Sequence, residues 1–179
     1  MTASNAFSAQ DWIKEHLHDG VHLDPECLHA VQNFTLMWNI FESLLCDNSA
    51  SVCKFGLILA KWKVPHLPPE IQQAFAYFQN RYVTTDGFSR HFKLQFRNND
   101  CRKMVENALK SAHNDASTMI YVLLIIIYRL RNNLFHGLKS VSSLNNQTDN
   151  LNVAARALAA IIELHGHPAL TRSNHAASR

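Results

Sequence analysis

The longest apolar run in the chain, the ten residues from Met119 to Tyr128, is followed at once by a polar burst: Arg129, Arg131, Asn132, Asn133, His136 and Lys139. Ten residues fall well short of the ~20 needed to cross a bilayer. Met119, Ile120, Val122, Leu123, Ile126, Ile127, Leu130 and Leu134 continue the apolar character at helical spacing, nearly all the way round. Such a segment has to be wrapped by other elements. It predicts a central core helix, capped by Asn114 or Asp115 and stopped near Gly137.

The rest of the chain reads as helices packed around that one. Only 5 Gly and 5 Pro occur in 179 residues, too few for a fold made of many turns. A short helix is expected over residues 9–18, ended by Gly20. The next has Asp24 as cap, Pro25 in the first turn and Glu26 beside the positive helix end, and runs to Cys46. Its Val31, Phe34, Trp38, Phe41 and Leu45 form one stripe. Further helices are expected over 50–63, from Pro68 or Pro69 through Tyr82, from Asn99 or Asp100 to His113, and over 151–165. Residues 83–97 stay open between a helical turn and a packed loop, with a turn at Asp86-Gly87 and Phe88, Phe92 and Phe96 four apart. Residues 138–150 read as a Ser/Asn-rich loop. The fold class is a single all-α bundle of six or seven helices with its core over about 24–165 and frayed ends.

Composition narrows the function classes. At 47% hydrophobic and 17% charged the chain is globular rather than disordered, and a net charge of +3 permits a local phosphate-binding patch without the broad basic surface of a DNA-coating protein. Cys27, Cys46, Cys53 and Cys101 form no CxxC pair and are expected as reduced, mostly buried thiols. His16-x-His18 and His165-x-His167 lack converging partners, so no metal and no cofactor is expected. There is no GxSxG and no Gly-rich phosphate loop. No signal peptide or membrane span is read, and a cytoplasmic location is expected.

Chemistry concentrates in the polar burst. On a continuous helix Arg131 and His136 would stand about 140° apart, so they meet on one target only where the helix ends between them. The same residues would also serve as a helix C-terminal cap, because cations there offset the macrodipole. Arg131, Asn132 and His136, with four residues between the Arg and the His and continuing as Gly137, resemble the signature of the HEPN superfamily of small helical bundles. Many relatives read His-Gly-Gly-Lys, whereas this chain has His136-Gly137-Leu138-Lys139.

The resemblance implies a metal-independent endoribonuclease. In it His136 exchanges protons, Arg131 grips the phosphate and Asn132 orients the His or holds a phosphate oxygen, with Arg129, Lys139 and Asn133 in supporting or RNA-contacting places. It also implies that the Glu42 helix packs on the motif helix, so that Glu42 pairs with Arg129 or Arg131, as a structural ion pair or, in the other reading, with a direct catalytic role. An RNA substrate, a homodimer with facing motifs, a possible cognate antitoxin and a role as toxin or host-defence effector follow from it. A non-catalytic RNA-, nucleotide- or protein-binding relative is the other reading.

Overall fold

The computed structural model describes residues 7–16, 22–64, 66–135 and 143–166. Seven α-helices are present among them, as an all-α bundle requires: α1 (Ala9–His16), α2 (Pro25–Cys46), α3 (Val52–Lys61), α4 (Pro69–Tyr82), α5 (Arg102–Lys110), α6 (Ala116–Phe135) and α7 (Thr148–His165). A 3-10 turn, Asn145–Gln147, leads into α7.

α6 is the centre of the bundle. Ile120, every residue from Val122 to Ile127, and Leu130 are buried, and α3, α4, α5 and α7 pack against it. Its start is set by Asp115, whose carboxylate accepts from the Thr118 backbone N–H at 2.9 Å and the Thr118 hydroxyl at 2.7 Å. Those bonds hold the Asp115 carboxyl below its ordinary pKa. Among the described residues α6 alone is long and apolar enough to cross a membrane, and 61% of that window is buried inside the bundle.

α2 packs chiefly along α7 and turns Phe34, Trp38, Phe41 and Leu45 into the core, while Val31 is only partly covered. Pro25 opens it as read, but the Asp24 side chain caps nothing. The Asp24 backbone N–H donates instead to Asn145 Oδ1 at 3.1 Å. α3 is shorter than its expected span at both ends. The Ser51 oxygen accepts from the Lys54 backbone N–H at 3.2 Å and fixes the start, and Trp62 turns extended after Lys61.

The open stretch after α4 resolves into a two-residue antiparallel hairpin, β1 (Val83–Thr84) with β2 (Gly87–Phe88), and then a packed loop. Gly87 has a φ of 134°, which suits a residue without Cβ. The four-residue aromatic spacing is a ring ladder rather than a helix face: Phe88 and Phe92 centroids lie 4.3 Å apart, and Phe92 and Phe96 5.5 Å. Cys101 adopts a left-handed conformation, so α5 begins one residue later and Asp100 is released from capping. α7 starts earlier than expected, at Thr148. Cys27 and Cys46 are buried, but Cys53 and Cys101 are exposed, correcting the expectation of mostly buried thiols; all four are free.

Candidate functional site at the end of the central helix

Arg131, Asn132 and Asn133 occupy the last turns of α6. The Arg131 guanidinium stands 5.8 Å from the Trp38 ring centroid and 5.1 Å from that of Phe135, within cation–π range of both. Its Nη1 donates to Asn132 Oδ1 at 3.1 Å, and its Nε is buried without a hydrogen-bond partner. Among the described residues no carboxylate lies within 4.0 Å of it. The guanidinium is thus held by two rings and an amide, with no ion pair among the described residues. His136, Gly137 and Lys139 lie outside the described residues, as do His18, Gly20 and His167.

Two supporting assignments are corrected. Glu42 forms no ion pair with Arg129 or Arg131. Its Oε2 accepts from the Trp38 indole N–H at 2.8 Å, and its Oε1 accepts from the Ala50 backbone N–H at 3.2 Å. The carboxylate is therefore spent on closing the turn between α2 and α3 and on fixing Trp38. Its charge also adds to the effect of burial on the nearby Cys46 thiol, which is pushed up to about 12.

Arg129 is not at the surface. It is 2% exposed, and its Nη1 lies 3.1 Å from Asp100 Oδ2. Its Nε donates to the Leu94 carbonyl at 3.0 Å, and its Nη2 donates to the Gln95 carbonyl. Burial lowers its pKa while the Asp100 carboxylate opposes that shift. Arg129 thus ties the loop between β2 and α5 to the central helix. Asp100 Oδ2 completes the clasp by accepting from the Arg97 backbone N–H at 2.6 Å.

Asn132 and Asn133 are each 3% exposed. Asn133 Oδ1 has no hydrogen-bond partner, an arrangement that costs about 1–3 kcal/mol when nothing satisfies it. Asn133 and Leu130 form part of the wall of a groove of about 640 Å³ that also takes in Arg81, Arg90, His91 and Lys93. The sequence alone did not single out these basic residues. The signal was the run Arg90-His91-Phe92-Lys93, which interleaves basic residues with an aromatic one.

Among the described residues no three His, Cys, Asp or Glu side chains converge as metal ligands do. No protein-family model, curated protein or solved structure matches this chain.

Proposed function

We propose that the chain is a metal-independent endoribonuclease of the kind its Arg131–Asn132–His136 motif resembles. The observation that carries the reading is the state of Arg131: a ring-seated guanidinium with no carboxylate within 4.0 Å among the described residues, five residues before a histidine. In the proposed reaction a ribose 2′-oxygen attacks the adjacent phosphorus and the bond to the 5′-oxygen breaks, leaving a 2′,3′-cyclic phosphate and a free 5′-hydroxyl. One imidazole takes the proton of the 2′-hydroxyl and an acid returns a proton to the 5′-oxygen, each typically worth ~10²–10⁴-fold. Arg131 offsets the charge growing on the equatorial oxygens through its fork of donors. Asn132 keeps Arg131 in place through its 3.1 Å bond.

The working unit is proposed as a homodimer, because base and acid then come from two copies of His136 around one phosphate. A toxin or host-defence role, with a cognate antitoxin in the first case, belongs to the same reading and rests on the resemblance. The test is to incubate the purified protein with RNA in excess EDTA and analyse the ends. Fragments with cyclic phosphates, lost in His136→Ala at an unchanged melting temperature, are the expected result. Cleavage undiminished in a folded His136→Ala protein would overturn the assignment.

A second reading has its own observation. Arg129, Asn132 and Asn133, three polar residues of the motif region, are buried, and Arg129 and Asn132 are hydrogen-bonded within the fold. A non-catalytic module binding RNA, nucleotide or a protein partner would keep those contacts without turnover. It predicts RNA or nucleotide retention with no product.

A further inference from the structure

We propose that the groove beside α6 is a binding site for single-stranded RNA, holding nucleotides that flank the phosphate presented to Arg131. The proposal rests on the ribonuclease reading only for the identity of the polyanion; the groove itself is described by residues outside the motif pair. Asn133 follows Arg131 by two positions, about 200° around the helix, and Leu130 precedes it by one, about 100°. The groove therefore opens on a different side of α6 from the Trp38 face, and one strand reaching both sites would pass around the helix end.

The walls fit a sugar–phosphate chain with bases. Arg81, Arg90 and Lys93 supply permanent positive charge, with His91 between the last two, while Asp149 is the one carboxylate of the lining. Arg90 and Lys93 are exposed and form no ion pair among the described residues. Arg81 reaches across to the Asn146 carbonyl at 3.5 Å, and its buried Nε has no partner. Gln147 and Thr148 bring the start of the 18-residue α7 to the groove, and no side chain caps that end. The Gln147 and Thr148 N–H groups are taken by the Leu144 and Asn145 carbonyls, so this end of α7 acts on an anion through the helix dipole alone.

Leu94 and Leu130 give a base an apolar surface. Asn133, buried with an unpaired Oδ1, gives a base amino group or a ribose hydroxyl an acceptor. A volume of about 640 Å³ is that of a small-ligand cleft, not of a face broad enough for a duplex. With a net charge of only +3, the attraction is local to this cleft.

A short, labelled, uniformly 2′-O-methylated RNA tests this, since it cannot cyclise and reports binding without cleavage. Fluorescence anisotropy is measured over a salt series for the full chain, for Arg90→Ala with Lys93→Ala, and for Lys61→Ala with Lys63→Ala. The last pair removes the same charge elsewhere. Trp62, between them, packs edge-on against His165 at the far end of α7, about 27 Å away along the helix.

The groove pair is expected to weaken binding about tenfold and to make the salt slope shallower by about 1.4, two phosphate contacts' worth. The Lys61/Lys63 pair is expected to bind as the unaltered protein does. Equal loss in both pairs, or none in the groove pair, overturns the site. Adenosine monophosphate or inorganic phosphate binding as tightly as the oligonucleotide would overturn the choice of a strand in favour of a mononucleotide or simple anion site. Cleavage assays on natural RNA separate the two ideas: groove-dependent binding without any cleavage would remove the ribonuclease reading and leave the groove.

Discussion

Trp38 presents its ring face to Arg131, 5.8 Å from guanidinium to centroid, while its indole N–H is held by Glu42 at 2.8 Å. Glu42 therefore reaches the cation through an aromatic plate instead of through a salt bridge. Trp38 is 1% exposed and also packs on Tyr128, with centroids 6.0 Å apart, so the plate cannot tilt without disturbing the core.

Glu42→Gln should show this directly. The glutamine has one oxygen for two N–H donors, Trp38 and Ala50, and turns an amide N–H toward one of them. A loss of about 1–2 kcal/mol in urea unfolding is expected, because a partly buried donor is left unmatched. That loss should barely change with salt. A strongly salt-dependent loss would instead indicate an ion pair with Arg131.

Arg129 is expected to behave as a structural residue. Arg129→Met and Asp100→Asn each leave a buried polar group without its partner, and each should destabilise by about 3–5 kcal/mol. The double variant should be less destabilised than the sum of the two. If Arg129 were a surface RNA contact, Arg129→Met would leave the unfolding midpoint within about 0.5 kcal/mol of the parent.

These two residues mark where the sequence stopped being informative. The helices were legible because Phe34, Trp38, Phe41 and Leu45, or Ile71, Phe75, Phe78 and Tyr82, recur at three and four residues, and Pro25, Pro69 and Asp115 punctuate them. Local pattern has no means of saying that Asp100 faces Arg129 rather than capping α5, because that depends on a left-handed Cys101 and on the path of a loop. Glu42 differs: its partners, Trp38 one helical turn back and Ala50 just past the helix end, are local, and it was the family resemblance that assigned it to the motif arginines. Phe88, Phe92 and Phe96 had helical spacing and formed a ladder in a loop, since tertiary contact with Tyr82 outweighed the period. The candidate site stands out in the sequence only as a cluster of residue types; that Arg129, Asn132 and Asn133 are buried is visible only in the fold.

Alkaline pH should weaken the fold. Burial pushes the Cys46 thiol from its ordinary value of 9.0 up to about 12 and raises Cys27 in the same direction; Tyr121 is pushed up to about 12 and Tyr82 also upward. In each case the unfolded chain ionises first and binds fewer protons than the folded one. Stability from these groups is complete below pH 9, and is lost as pH rises from there toward about 12. Urea midpoints should fall through that window, and Cys46→Ala should flatten the fall. Alkylation of the native protein should label Cys53 and Cys101 and spare Cys27 and Cys46; rapid labelling of Cys46 would contradict its burial.

The proposed dimer makes a complementation experiment possible. Arg131→Ala and His136→Ala chains are each expected to be inactive. Mixed after partial unfolding and refolding, they should regain part of the activity if each phosphate is served by both copies. A chain that remains monomeric by light scattering and still cleaves RNA at full rate would exclude the shared site.

Asn145 bonds to two groups at the start of α2: its Oδ1 accepts from the Asp24 N–H at 3.1 Å, and its Nδ2 donates to the His22 carbonyl at 3.0 Å. More than a hundred residues separate those partners, and the helix that follows Asn145 covers α2. A ribosome making this protein therefore releases α2 long before the helix that shields it exists. Until α7 emerges, α2 lacks that cover and the apolar face it turns to α7 stays open to water. The groove, whose far wall is the start of α7, can form only after synthesis has passed that point. Any activity that needs the groove is thus withheld until the start of α7 has been made.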